Sequence, residues 1–152
     1  MKAAGIEAHG DIGQVKELNV PEPSAVAGEV VVEVKAAALN HLDIWMRNGR
    51  AGAPLPFPHV LGSDAAGVVK AVGEGVARWS VGDEVIINPG LSCGQCDYCG
   101  RGEQSECPDF TIVGMGRPGT FAEQVAVPAT NLQEKPHHLS WSEAAALPLA
   151  YI

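Results

Sequence analysis

Short stretches rich in Val and Ile, separated by clusters of Gly, Pro and Asp, set the pattern of this chain. Three of them read as strands, Val30–Val34, Gly67–Val72 and Glu84–Ile87. β-Branched residues fit a pleated, half-buried surface, and the flanking residues favour turns. Gly73-Glu74-Gly75 and Val81-Gly82-Asp83 supply the turns around the last two. Leu42–Asn48 has room for about two helical turns at about 3.6 residues each, and Gly49 follows as a left-handed stop. Residues 50–63 carry three Pro and two Gly and are expected to form a rigid loop rather than a regular element. Thr120–Val127 is locally ambiguous: Thr120 and Glu123 allow a helix-opening cap, while Phe121, Glu123, Val125 and Val127 alternate with smaller residues. Ser140-Trp141-Ser142-Glu143 matches a capping box ahead of the apolar run Ala144–Ala146, and Pro148 is expected to kink that helix or close its first turns.

Composition supports a turn-rich, mainly β fold with short helices. The 152 residues are 46% apolar and include 18 Gly and 11 Pro, enough for one domain with a real core. Net charge is −8 and the ten basic residues are scattered, which argues against nucleic acid and anionic membrane as partners. No apolar run approaches the roughly 18–20 residues needed to span a bilayer, and Glu7 comes too early for a secretory leader. A cytoplasmic protein is the expectation. The chain stops at Tyr151-Ile152 inside an apolar segment without a cap or polar tail, so it is expected to be the front part of a longer protein.

The chemistry concentrates in the cysteines. Cys93, Cys96, Cys99 and Cys107 fall within 15 residues, spaced C-x2-C-x2-C-x7-C, with Gly94, Gly100 and Gly102 letting the backbone fold around one point. Four soft thiolates suit one tetrahedral zinc with no vacant position, a structural rather than catalytic ion. Their charge needs nearby N–H groups to offset it, and Arg101 is a candidate helper. Disulfides would require an oxidising compartment. An iron–sulfur cluster is the sharper rival, given Cys107-Pro108, but its last gap is typically about three residues rather than seven.

This lobe is preceded by Gly82-Asp83-Glu84-Val85 and by Gly62-Ser63-Asp64-Ala65-Ala66-Gly67-Val68-Val69. Together these motifs resemble the N-terminal, GroES-like catalytic domain of the medium-chain dehydrogenase/reductase superfamily, from Met1 to Ile152. The resemblance implies a GroES-like barrel over residues 1–139 with an excursion lobe at about 88–110. Residues 140–152 would open the helix leading to a Rossmann domain that binds NAD(H) or NADP(H) and is absent from these residues. It also implies a small-molecule substrate and a homodimer or homotetramer for the full-length protein.

Zinc alcohol dehydrogenases of that superfamily hold a second, catalytic metal through Cys, a His assisted by Glu, and a further Cys. The resemblance puts those positions at Asn40, at Ser63-Asp64 and near Leu149. The Ser/Thr and His positions of the proton relay become Leu42 and Trp45. Without a Lewis acid or relay, zinc-type alcohol oxidation loses its electrophile and proton path. Asn40-x-x-Asp43 followed by a Gly-x-Asp-x-Ala-Gly run is instead similar to the quinone and enone reductases of the superfamily, which lack active-site zinc. Asn40 is then the leading catalytic candidate, because an amide donates to a carbonyl oxygen whose negative charge grows during hydride transfer. Asp43 and Asp64 match positions that orient the site, and His41 matches one that contacts the coenzyme pyrophosphate.

Each of these residues also has a plain reading: a turn Asn, a helix-start His, and capping or turn carboxylates. His41, His59 and Asp64 have residue types suited to an improvised metal site, though their spacing does not demand proximity. Gly114-Met115-Gly116-Arg117-Pro118-Gly119 is a literal G-x-G-x-x-G but a decoy, because Pro118-Gly119 breaks any helix started at Gly116. His137-His138 is expected to be solvated. Three functions follow: the N-terminal part of an NAD(P)-dependent reductase of quinones or α,β-unsaturated carbonyls; an alcohol or polyol dehydrogenase with a non-standard metal site; or a folded zinc-binding module without activity of its own.

Overall fold

The computed structural model describes residues 1–49 and 55–151. Its strands are β1 (Lys2–Ile6), β2 (Val15–Asn19), β3 (Glu29–Ala38), β4 (His59–Val60), β5 (Asp64–Val72), β6 (Glu84–Ile87), β7 (Gly90–Leu91), β8 (Thr111–Ile112), β9 (Gln124–Pro128) and β10 (Leu132–Glu134). The helices are α1 (His41–Asn48), α2 (Asp97–Gly100), α3 (Trp141–Ala145) and α4 (Pro148–Tyr151). The main sheet has the order β10-β6-β5-β3-β9, antiparallel throughout. A smaller sheet, β2-β1-β4, joins it where Ala4 N–H donates to Phe121 O at 2.7 Å and Glu123 N–H to Lys2 O at 3.1 Å. The result is the mainly β, GroES-like architecture with few short helices.

β3 is central to the main sheet, paired with β5 on one side and β9 on the other. Val30, Val31 and Val32 are all buried, as a continuous Val run in a strand covered on both faces should be. Val30 and Val32 join Val69, Val85, Ile87, Val127 and Leu132 in the principal core, together with Trp79. The Trp79 indole N–H is satisfied by Ala129 O at 2.9 Å. Gly67 permits the close approach of β5 to β3: a Cβ there would lie 2.1 Å from Glu33 O, beside the irregularity in register between Val34 and Ala36.

Two of the three expected strands are longer than the Val-rich pattern implied, because the alanines of β3 and the Asp64-Ala65-Ala66 start of β5 pair as well (Ala38↔Asp64, Ala37↔Ala65). Glu84–Ile87 matches β6 end to end. The expected loop at 50–63 needs correction. Residues 50–54 lie outside the described part, and His59–Val60 forms β4, supplied with partners by β1 (Gly5↔Val60, Ile6↔His59). Thr120–Val127 resolves as a strand that begins only at Gln124.

Helix α1 buries Asp43 and Met46 and terminates at Gly49 in the left-handed conformation, φ 75°. Met46 packs with Ile6 and Leu61 in a second core cluster. At α3, Ser140 N–H donates to Glu143 Oε2 at 2.9 Å and Glu143 N–H to Ser140 Oγ at 3.3 Å, closing the capping box. Ala144 and Ala145 pack against Ala66 and Ile86. Pro148 is the first residue of α4, where its missing N–H costs nothing.

Candidate active site and cysteine lobe

The end of β3, the start of β5 and the start of α4 converge on one carboxylate. Asp64 is 1% exposed. Its Oδ2 accepts from the Asn40 side-chain amide at 2.9 Å and its Oδ1 from Leu149 N–H at 3.0 Å. Burial holds the Asp64 carboxyl above its ordinary range, against the opposing effect of these two donors. Donating to a carboxylate fixes the Asn40 amide: one Nδ2 hydrogen is engaged, while the second and Oδ1 remain for a ligand.

Asp43 braces the same region from below. It is 6% exposed and accepts from Asn40 N–H at 2.8 Å through Oδ2 and from Gly62 N–H at 3.0 Å through Oδ1. Burial again raises the carboxyl above its ordinary range, with both N–H groups working the other way. Asp43 thereby ties the N-terminus of α1 to the turn that starts β5. Gly62 has φ +97°, and a Cβ there would meet the Phe121 ring at 2.4 Å, so this turn requires glycine. Thr120 is fully buried and donates to Asp64 O at 3.0 Å.

Thus Asn40, Asp43 and Asp64 do come together, with Thr120 and the Leu149 N–H as members that the sequence did not single out. Thr120 entered the reading only as part of an ambiguous cap, and a backbone N–H carries no sequence signal. Ser63 is 1% exposed, and its hydroxyl has no hydrogen-bond partner among the described residues. His41 lies on the exposed side of α1, with its ring edge-on to Trp45 at 5.1 Å. Leu39, Trp45 and Tyr151 are also exposed, so apolar side chains flank the polar cluster along the chain.

The improvised metal site does not assemble. His59 is buried and donates through Nε2 to Gly114 O at 2.8 Å, while Asp64 is occupied by Asn40 and Leu149. Among the described residues the four cysteines are the one cluster with three or more suitable ligands. The G-x-G-x-x-G stretch is a turn in which Gly114 N–H bonds to Arg117 O, and no helix starts there. His137 and His138 are exposed. An apolar cavity of about 410 Å³, walled by Pro21, Pro23, Pro58, Pro118 and Val125, shares no residue with the polar cluster.

In the lobe, the short β7–β8 pair frames residues 92–110, and α2 carries Cys99 back toward the other three thiols. All four sulfurs lie within 4.8 Å of one another. Three separations are 3.5 Å (Cys96–Cys99), 3.6 Å (Cys93–Cys107) and 3.9 Å (Cys93–Cys99). A tetrahedron of sulfurs about 2.3 Å from a central zinc has edges of about 3.8 Å, so the donor set fits the ion. Burial disfavours the Cys99 thiolate, but hydrogen bonds from Ser92, Cys96 and the Gly94 N–H outweigh it and bring the thiol down to about 7. At Cys96 the Cys99 N–H favours the thiolate, yet burial and the neighbouring thiols push the group up to about 11. Four thiols this close ionise together only around a cation. The expected help from Arg101 is not present. Its guanidinium pairs with Glu103 at 2.9 Å and lies over the Tyr98 ring, whereas Cys93 N–H is the donor to Cys107 Sγ, at 3.5 Å.

A mainly β domain with a cluster capable of holding a metal, and a polar site where β3, β5 and α4 meet, matches the N-terminal portion of medium-chain dehydrogenases/reductases. The chain belongs to the alcohol dehydrogenase GroES-like domain family, whose model matches residues 26–137. It is 40% identical over 150 residues to the crotonyl-CoA carboxylase/reductase of Cereibacter sphaeroides, covering 94% of this chain and 35% of that protein. It is 36% identical over 149 residues to an alcohol dehydrogenase of Geobacillus stearothermophilus, covering 97% and 43%. Among solved structures, an NAD-dependent alcohol dehydrogenase superposes with a TM-score of 0.95 at 51% identity over 98% of this chain and 43% of its own. The cobalt- and zinc-bound thermostable alcohol dehydrogenase of Pyrobaculum aerophilum gives 0.88 at 36%, covering 97% and 44%. The chain therefore spans about two-fifths of the length of such relatives. It belongs to a family of NAD-dependent oxidoreductases, and no helix among its described residues is long and apolar enough to cross a membrane.

Proposed function

We propose that these residues form the substrate-binding part of an NAD(P)-dependent reductase of quinones or α,β-unsaturated carbonyls, carrying one structural zinc at Cys93, Cys96, Cys99 and Cys107. The observation that supports this reading is the hydrogen-bonded set Asn40–Asp64–Leu149. By resemblance Asn40 and the neighbourhood of Leu149 take the cysteine positions of the catalytic metal in zinc alcohol dehydrogenases, Ser63 takes the histidine position, and Asp64 takes that of the Glu that assists it. An amide, a peptide N–H and one carboxylate already shared between them make a poor ligand set: the N–H cannot ligate, the carboxylate has both oxygens engaged, and of the three groups only Asn40 Oδ1 is left to meet an ion. The same set suits direct hydrogen bonding to substrate. The free Nδ2 hydrogen of Asn40 is aligned by Asp64 to meet a carbonyl oxygen as negative charge builds on it, a role worth about 10²–10³ in rate for a single donor. Asp43 keeps Asn40 in place through its backbone, and exposed His41 at the start of α1 is positioned for a coenzyme phosphate. The nicotinamide coenzyme, bound by the domain expected after these residues, supplies the hydride.

The name of the Cereibacter relative includes reduction of crotonyl-CoA, an α,β-unsaturated thioester, which agrees with this substrate class. The alcohol dehydrogenase similar at 51% identity favours a second reading, a dehydrogenase of alcohols or polyols that assembles a non-standard metal site. The full-length protein is expected to be a cytoplasmic homodimer or homotetramer, and these residues alone a folded zinc module without turnover. The test joins the chain to its nucleotide domain, then measures metal content and rates with NADPH plus 2-cyclohexenone or benzoquinone, and with NAD⁺ plus simple alcohols. One zinc per chain, enone or quinone reduction, and a fall of about 10²-fold or more in kcat for Asn40→Ala are expected. Two zincs per chain with alcohol oxidation would instead establish the second reading.

A further inference from the structure

Asp64 joins two parts of the chain that are 109 positions apart, Asn40 in the site and Leu149 in α4, through its two carboxylate oxygens. We infer that Asp64 is a positioning residue that couples the Asn40 amide to the Pro148–Tyr151 segment, so that a ligand engaging Asn40 also sets how firmly α4 is held. Three features support this. Leu149 N–H is one of the donors that a helix start leaves without an intrahelical partner, and Pro148 before it has none to offer. The partner it finds comes from a strand 85 residues away rather than from a local capping side chain. Asp64 cannot easily turn on its own account, because its backbone carbonyl is pinned by Thr120 at 3.0 Å and its residue pairs with Ala38 in the sheet. Carboxylate rotation is the freedom that remains, and it moves both donors together. Two donors on opposite oxygens hold the carboxylate at one rotation, so losing either leaves the other less firmly oriented, and any effect of ligand at Asn40 on Leu149 is matched by the reverse effect.

The functional meaning rests on reading Asn40 as the polarising amide, but the link itself is a property of the fold and needs no substrate to test. Amide hydrogen exchange followed by NMR on the 152-residue chain gives the rate at Leu149 relative to Ala144, whose N–H bonds locally to Ser140 O in α3. The ratio cancels any general loss of stability. Asp64→Asn, which can offer one oxygen only, should raise the ratio about tenfold or more. Asn40→Ala should raise it severalfold although Asn40 makes no hydrogen bond to α4, and Asn40→Gln, which retains an amide on a longer stem, serves if the alanine variant does not fold. Asp64→Glu should restore part of the wild-type ratio. A ratio within twofold of wild type in both Asn40 variants would overturn the coupling and leave Asp64 holding α4 independently of the site. That outcome would not affect the assignment of Asn40, which falls only if its replacement leaves enone and quinone reduction unchanged.

Discussion

Replacing Asp43 tests whether the site is built on its buried carboxylate. The side chain is 6% exposed and receives two backbone donors, Asn40 N–H at 2.8 Å and Gly62 N–H at 3.0 Å. A net hydrogen bond to a charged group contributes about 1.5–3 kcal/mol, while a buried donor left without a partner costs about 1–3 kcal/mol. Desolvation of the carboxylate, visible in its raised pKa, offsets part of the gain. Asp43→Ala leaves both donors bare. Gly62 is buried and Asn40 half-buried, so water can reach only the second. The expected loss for Asp43→Ala is about 3–4 kcal/mol, and for Asp43→Asn, which keeps one acceptor oxygen, about 1–3 kcal/mol. Against a typical domain stability of about 5–15 kcal/mol these are large fractions. Urea unfolding of the zinc-loaded chain, followed by the fluorescence of its three tryptophans, of which Trp79 is buried, reads the change. With a slope of about 1–3 kcal/mol per molar, a 2 kcal/mol loss moves the midpoint by about 1 M. An Asn variant whose midpoint stays within about 0.2 M of wild type would refute the reasoning and mean that the two donors find solvent instead.

Four further outcomes can be checked on the same chain. Chelation of the ion should strip amide protection from residues 92–110 while Val32 and Val69 in the core retain theirs, and metal analysis of the untreated chain should count one zinc; simultaneous collapse of both regions would contradict a zinc that holds only the lobe together. Gly67→Ala should destabilise by about 1–3 kcal/mol in chemical unfolding, because its Cβ would lie 2.1 Å from Glu33 O; a neutral result would show that β3 can move away freely. Ser63→Ala should be neutral or slightly stabilising, since the hydroxyl has no partner to lose; a loss above about 1 kcal/mol would reveal a bond made in solution. For Asp64→Asn the sign follows from linkage. Burial raises the folded-state pKa, so between the ordinary carboxylate value and that raised value the native state holds the extra proton. Wild type should therefore gain stability relative to Asp64→Asn as pH falls from 7 toward 4, and a constant or reversed gap would show that the pKa is not raised.

The sequence disclosed elements in proportion to how much of their stabilisation is local. The core strands β3, β5 and β6 announce themselves because Val and Ile crowd into them, and α3 because Ser140 and Glu143 are a self-contained cap. β4 is invisible, since two residues among prolines become a strand only when Gly5 and Ile6 of β1 pair with them. The alanine ends of β3 and β5 are equally silent: Ala37 and Ala65 are strand residues by virtue of each other. The cysteine lobe was legible as a donor set, because ligand spacing within 15 residues is a local property. Its neighbourhood was not, and Arg101 found Glu103 two residues on instead of the thiols.

The polar site shows what such a reading can and cannot carry. Asn40, Asp64 and Leu149 come from the end of one strand, the start of its neighbour and the start of a distant helix, so nothing in their spacing predicts contact; the family resemblance did, by supplying three positions that must meet. In this chain the backbone delivers that convergence: Ala38 pairs with Asp64, Gly62 turns where no Cβ fits, and Leu149 N–H after Pro148 meets the Asp64 carboxylate. Two donors and one shared carboxylate satisfy each other without an ion and leave one amide hydrogen and the Asn40 Oδ1 to spare. On the proposed reading, a site assembled this way would activate a carbonyl by hydrogen bonding, which suits an acceptor whose conjugation already spreads the incoming charge better than an unactivated alcohol.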